Sequence, residues 1–569
     1  MGNETKTSVK KRLALAAALL MVATAGSRIL GLFREVIMVK YLGLGIAQGE
    51  FTVANKMPNL VRTLLADTAL SAAFIPVFSG LLEKKRRGEA WHVAFNVTIL
   101  ATIVLGVICA LGMIFAPWVV RFVAPGEQFK DPAIMAVTTH LSRIMFPTVV
   151  LLGIAGVLMG ILNSYNRFAT PAVAPIVWNL VIIGVMVGFA GYGVRAVAWG
   201  VLAGTVLELL IQVPPVWRLR WRRGTEQGPL VHFYRADGAV AEFGALPMDG
   251  RSPWRLDLSH PDVRRVGVLL GPVIISLGII NFNSLIDTQV ASLISVPAPA
   301  FIEKAFRLFQ LPQGVFAVAI GTVLFPALSR HVAGGRKDEF RADLSQGIRQ
   351  IFFITLPFAA LFAVLALPTA RIVYGYGAAR GDAAGLAAVA SALRFFSVGM
   401  VFVSVNTLLN RAFYSIKMPW LPLFSGVINL ALNLALDLAF YKPLGVGGIT
   451  LSTSLVSTFN FFALMVLLRP RIGGVDARRV AWSTTRSIIA LLPLWGVAYE
   501  VWWFLDRALG HSTGSQFLAV ALAYLAGGVA YCLAAAAMGM HELQDVINVV
   551  RRRRSPRETE IVIEEEQAE

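Results

Sequence analysis

Cysteine is nearly absent, with two in 569 residues. Cys109 and Cys532 both lie in apolar runs, which leaves no disulfide framework and no thiolate metal spacing. The seven histidines are scattered. The patterns H-E-x-x-H and G-x-x-x-x-G-K-[ST] are both missing, so the chain carries neither that zinc-hydrolase helix nor a nucleotide-driven motor of its own. Charge is sparse at 15% of residues, yet 51 Lys and Arg stand against 33 Asp and Glu, a formal net charge of +18. In a soluble protein that balance would suggest nucleic acid. Here the basic clusters fall in alternate loops between apolar runs, the pattern that orients a membrane protein, and no nucleic-acid partner is expected.

Long apolar runs are what the chain has in abundance. With 56% hydrophobic residues and a mean hydropathy of +0.68, it reads as an all-α polytopic membrane protein. Fourteen transmembrane spans are expected, near 13–43, 51–82, 90–123, 133–163, 168–192, 195–216, 265–293, 299–331, 344–375, 384–414, 419–440, 447–468, 480–506 and 516–539. Lys10 to Arg12 ahead of the first run resemble a secretory signal, but the run continues through Arg28 to Leu44 and is expected to be retained. Basic clusters at Lys84–Arg87, Arg218–Arg223, Arg330–Arg341, Arg469–Arg479 and Arg551–Arg554 place both termini on the cytoplasmic side.

The expected organisation is a cytoplasmic N-terminus over 1–12, a first lobe over 13–216, a cytoplasmic linker over 217–264, a second lobe over 265–470, two further helices over 471–541 and a charged cytoplasmic tail over 542–569. The linker has room for a short hairpin; a small regulatory module is the other reading. An internal repeat supports two six-helix halves enclosing a central cavity. K-M-P-N, A-F-I-P-V-F-S and a basic turn in the first half answer to Q-L-P-Q, V-L-F-P-A-L-S and G-G-R-K-D-E-F in the second.

Arg28, Arg34, Arg62 and Arg307 fall inside these spans, where a central arginine costs about 2.5 to 3.5 kcal/mol on insertion scales. Arg62 and Arg307 are expected at matching depth in the two halves, ~13 to 17 Å below the outer surface. Single arginines could simply pair with Glu35, Glu50 or Asp67, or snorkel to an interface. Four together point to an anionic ligand, and the planar guanidinium suits phosphate or pyrophosphate. An acidic group is the second constellation. Asn283 and Asp287, and Asn433 and Asp437, stand one helical turn apart, with Thr453 at similar depth. Oxygen donors of this kind suit a hard monovalent cation such as Na⁺; a proton-titrating carboxylate is the other reading, and a surface pair with Lys442 would account for Asp437 alone.

S-R-I-L-G-L-F-R-E, K-M-P-N-L-V-R, A-L-S-A-A-F-I-P-V and L-P-Q-G-V-F-A-V-A-I-G-T-V-L-F-P-A-L-S closely resemble the MviN/MurJ family, the lipid II flippases of bacterial peptidoglycan synthesis. The resemblance covers about residues 13 to 540, the fourteen-helix count included. It implies the fold of the multidrug/oligosaccharidyl-lipid/polysaccharide exporter superfamily, with the two last helices forming a groove for the lipid tail. It also implies a transporter rather than an enzyme, without a cofactor, that moves lipid II across the inner membrane by alternating access under membrane potential, cation coupling or both. Substrate-binding arginines then fall on Arg28, Arg34, Arg62 and Arg307, and the cation site on Asp287, Asn433, Asp437 and Thr453, with Na⁺ the candidate coupling ion. Lipid II, the surrounding membrane lipids and the cell-wall synthesis machinery are the implied partners, and a monomer suffices. Gly49 with Glu50, Gln310 and Asp67 depart from the family pattern. A polysaccharide-lipid flippase or drug/cation antiporter of the same superfamily is the alternative, and a membrane polyprenyl-pyrophosphate transferase a more distant one.

Overall fold

The computed structural model describes residues 26–66, 68–221, 231–234, 240–243, 257, 259–510 and 512–552. The 13–25 part of the first expected span, Asp67, most of the 217–264 linker and the end of the charged tail lie outside the described residues.

Apart from one two-stranded ribbon, the described regular structure is helical. Among the described residues, twelve helices are long and apolar enough to cross a membrane, and the chain is a multi-pass membrane protein. These twelve coincide with twelve of the expected spans. The remaining two spans correspond to the helix over 26–42 and to the 32-residue helix Pro261–Ser292. The ribbon pairs Val231–Tyr234 with Val240–Phe243 in antiparallel register, Val231 opposite Phe243, inside the segment read as a linker.

Three expected spans need correction. The 90–123 run is Arg87–Ile114 followed by Ala116–Val123, the 133–163 run is Pro132–Met145 followed by Pro147–Ser164, and the 344–375 run is Lys337–Val364 followed by Ala366–Tyr374. Pro117, Pro147 and Pro368 explain the breaks: a proline in the first turn of a new helix has no N–H for the ladder it would otherwise continue. Two other spans are interrupted by a π-helical turn, Arg62–Ala66 between Ile46–Val61 and Thr68–Glu83, and Gln313–Ala317 between Ala298–Pro312 and Val318–Ala333. Each accommodates one extra residue without ending the helix.

Left-handed turn residues recur in parallel along the chain. Lys85 (φ 61°), Asn166 (φ 56°) and Gly193 (φ 58°) answer to Gly335 (φ 68°), Lys417 (φ 59°) and Gly445 (φ 56°) about 250 positions later. The π turns recur at a similar interval.

The chain divides into two compact units, one comprising residues up to Glu303 with Tyr374–Gly385, the other Lys304–Val373 with Leu386 onward. Helix Pro261–Ser292, grouped by sequence with the second lobe, packs in the first unit against Thr68–Glu83. The core of the first unit is aromatic at one end, where Trp91 stacks on Tyr165 and meets Phe78 edge-on. In the second unit, helices Ala477–Leu509 and Thr513–Ala537 pack against each other, and their Ala490, Ala498, Ala519, Ala523 and Ala535 are all fully buried. Small residues let membrane helices approach closely enough for dispersion to hold them where lipid supplies no hydrophobic drive.

A last helix, His541–Arg552, begins where the sequence reads as charged tail. Its Glu542, 5% exposed, accepts from Arg349 Nη1 at 3.0 Å and Ser483 Oγ at 2.9 Å, while Asp545 accepts from Gln346 at 3.1 Å. Glu542→Ala leaves the Arg349 guanidinium without this partner. Because Arg349 retains partial access to water, the expected loss is about 1.4 kcal/mol, read as roughly tenfold faster amide hydrogen exchange across 541–552. Unchanged exchange would show that the helix is held by its apolar face alone.

Candidate functional site

In the first unit, three helices bring two of the four expected arginines onto one ring. Arg34 lies on the 26–42 helix, Arg62 opens the π turn after Ile46–Val61, and Trp178 projects from Ala169–Gly188. The Arg34 guanidinium carbon stands 4.9 Å from the Trp178 ring centre and that of Arg62 5.7 Å. The indole is fixed in turn: its N–H donates to Thr205 Oγ1 at 3.1 Å. Arg34 also donates to Glu35 at 2.6 Å and to Asn179 Oδ1 at 3.2 Å, so the internal pairing that sequence allows does occur for Arg34. Glu35 is 2% exposed. A half-desolvated pair of guanidiniums on an aromatic platform is suited to phosphate oxygens.

Arg28 is exposed on the same helix and lies outside the trio. Arg307 belongs to the second unit, half-buried on Ala298–Pro312. The π turns correct the expected match between Arg62 and Arg307. Arg62 is the first residue of its turn, whereas Arg307 precedes Gln313 by six residues, the position that Lys56 occupies ahead of Arg62. That difference is ~9 Å along a helix. Lys56, half-buried, donates to Ser284 Oγ at 2.7 Å on helix Pro261–Ser292.

The oxygen-rich residues divide between the units. Asp287 is half-buried in the first, one turn beyond Asn283, whose buried Oδ1 has no hydrogen-bond partner. Asn433, Asp437 and Thr453 lie in the second, on Trp420–Leu444 and Val446–Ile472. Asp437 is fully buried and accepts from Asn433 Nδ2 at 3.1 Å, which rules out a surface pair with Lys442. The helices are antiparallel, with Ser425 Oγ donating to Asn460 Oδ1 at 2.6 Å, and this register puts Thr453 within a turn of the Asn433 level. Carboxylate, amide and hydroxyl oxygens make a hard donor set that fits a monovalent cation.

Two further features sit apart from these groups. Helices Ala477–Leu509 and Thr513–Ala537 border a groove of about 630 Å³ lined by Val501, Phe504, Leu505, Leu522, Leu525 and Val529, with Glu500 its one carboxylate. In the first unit, Glu89, His260 and Asp262 have ligand atoms within 4.8 Å of one another, but Glu89 is already engaged by Arg86 at 2.6 Å. This cluster lies where the linker returns: the Asp257 N–H donates to Asn96 Oδ1 at 2.7 Å, and His260 meets the ring of His92.

The family model described as "Lipid II flippase MurJ" matches residues 38–536. The chain belongs to the MurJ family. It is 29% identical over 459 residues to the lipid II flippase MurJ of Burkholderia cenocepacia, covering 80% of this chain and 84% of that protein. Among solved structures, the fold resembles a lipid II flippase MurJ in an inward closed conformation, with a TM-score of 0.73 at 20% identity over 93% of this chain and all of that one. It also resembles an inward-facing multidrug resistance MATE transporter of the MOP superfamily, with a TM-score of 0.58 at 15% identity over 79% of this chain and 98% of that one.

Several polar residues of this MurJ-family chain escape a sequence reading. Trp178 and Asn179 sit in an apolar run and gain meaning only by meeting Arg34. Lys304 is 1% exposed in the second unit, and Arg411 donates there to Thr322 at 2.9 Å. The signal that could have found both is the one used for the arginines, a cation inside an apolar span.

Proposed function

We infer that this chain is a lipid II flippase. It is a transporter and not an enzyme, and it carries the undecaprenyl-pyrophosphate-linked disaccharide-pentapeptide from the cytoplasmic to the periplasmic leaflet of the bacterial inner membrane. The observation that carries the reading is the pair of guanidiniums on Trp178, a site with the charge and shape for pyrophosphate. Arg28 and Arg307 complete the anion-binding set. Fourteen helices form two six-helix repeats around a central cavity, followed by two helices whose apolar groove takes the polyprenyl tail; the recurring turns and the groove lining support this. Both termini are cytoplasmic, as the alternating basic loops require.

Transport proceeds by alternating access in a monomer. With the inside negative, moving an anion outward gains ~2.3 kcal/mol per charge per 100 mV. Na⁺ is the coupling cargo, held by Asp287, Asn433, Asp437 and Thr453, and its charge offsets carboxylates that are otherwise costly in a membrane. A drug/cation antiporter of the same fold would need an acidic cavity, and the arginine pair argues against it. The linker and the cell-wall synthesis machinery are where regulation and partners enter.

The test is lipid II exposure at the outer surface of cells depleted of their own flippase and supplied with this chain. Restored exposure is expected. Inserted, folded protein that restores none would move the assignment to another polyprenyl-linked saccharide.

A further inference from the structure

Helix Trp420–Leu444 carries more polar residues than a cation site at Asp437 needs. Ser425, Asn429, Asn433 and Asp437 recur at every fourth position, so they share one face and span ~18 Å of the helix. All four are buried, at 2%, 8%, 2% and 0% exposure. The other faces are apolar and open, with Phe424, Val427, Leu434 and Leu438 exposed. The neighbouring helix Val446–Ile472 answers with Thr453, Ser457 and Asn460, and the Ser425–Asn460 hydrogen bond sets these two polar stripes against each other.

Two carbonyl oxygens within this stack are orphaned. Asn429 Oδ1 is buried and accepts no hydrogen bond. The same is true of Asn406 Oδ1, on Ala383–Ser415, whose amide donates to the Ser457 carbonyl at 2.9 Å and whose side chain is 7% exposed. By the register of the helix pair, Asn429 also stands at the level of Ser457. A buried amide oxygen without a donor costs free energy, and leucine of similar size would remove that cost. Two such oxygens at one level, about two turns from a buried carboxylate, are a feature that packing alone does not explain.

We propose that this polar column is a transit path for the coupling cation through the second unit, with the amide oxygens of Asn429 and Asn406 forming a second, neutral subsite between Asp437 and the Trp420 end of the helix. The proposal rests on the cation reading of Asp437. Its chemistry differs from that site: Asp437 supplies the charge that captures a monovalent cation, while neutral amide and hydroxyl oxygens replace hydration water without holding the ion. Passage requires such weak, spaced binding. In the proposed orientation the column leads from the outer third of the membrane towards the cytoplasm.

The experiment measures radiolabelled Na⁺ with the full chain, at equilibrium in detergent and as exchange across proteoliposomes. Asp437→Asn should abolish binding. Asn429→Leu and Asn406→Leu should leave binding within about twofold and slow exchange by about tenfold or more. Asn429→Ser, which keeps an oxygen, should recover most of the exchange and guards against a folding defect, as does thermal melting of each variant. Exchange at the unmutated rate in both leucine variants overturns the column while leaving the Asp437 site intact. Absence of Na⁺ binding by the unmutated chain overturns the cation reading and the column with it.

Discussion

Arg62→Ala should abolish outer-surface exposure of lipid II while leaving the chain folded. Arg62 opens a π turn, where an extra backbone residue turns its side chain out of the regular helical succession towards Trp178. Arg34, its companion on the ring, is paired with Glu35 at 2.6 Å, so replacing Arg62 removes one guanidinium while leaving that pair in place. A bidentate charge-assisted pair with a phosphate contributes about 3 kcal/mol, so removing it lowers transport by roughly 100-fold. Arg62→Lys keeps the charge but loses the planar fork and the stacking, and an intermediate loss is expected. Arg34→Ala is the poorer probe, because it leaves the buried Glu35 carboxylate without this partner and mixes instability with lost function. Wild-type exposure by Arg62→Ala, at equal amounts in the membrane, would remove the arginine pair from the mechanism.

Hydropathy locates the spans because long apolar runs gain more from entering lipid than any other feature of the chain, but it is blind to backbone detail inside them. A π turn leaves composition unchanged, so Arg62 and Arg307 look equivalent when counted from the helix start. Measured from the turns, Lys56 takes the place that Arg307 has in the second unit. Breaks at Phe115 and Leu365 are signalled by Pro117 and Pro368, yet continuous apolarity hides them. The Arg34–Glu35 pair is legible from adjacency, and the Asn433–Asp437 bond from helical spacing. Trp178 is not, since an aromatic in an apolar run carries no periodic signal and acquires its role only when two other helices present cations to it. His541–Arg552 reads as tail because its charges dominate the composition, whereas Glu542 and Asp545 are the residues that dock it on the second unit.

Gly49→Ala should be as damaging as any change to the arginines, but by preventing assembly of the first unit. A methyl group at Gly49 would stand 1.9 Å from the Val296 carbonyl oxygen and 2.6 Å from its carbon. Both are backbone atoms, so no rotamer change relieves the clash. The same turn is approached closely a second time, where a methyl at Gly126 would meet the Ser292 carbonyl oxygen at 1.9 Å and Val296 N–H donates to Gln128 at 3.1 Å. Overpacking of a well-packed core costs typically 1–3 kcal/mol, and a clash with backbone atoms puts Gly49→Ala at about 3 kcal/mol or more. Any side chain at Gly49 would occupy the path of residues 296 and 297. The expected result is little monodisperse protein in detergent and a melting temperature several degrees lower for what survives, whereas Gly45→Ala, with no heavy atom within 4 Å of its added carbon, should behave as the unmutated chain. Equal stability of both variants would mean that the 292–297 turn moves freely, and the close approach at Gly49 would then have no part in holding helix Pro261–Ser292 to the first unit.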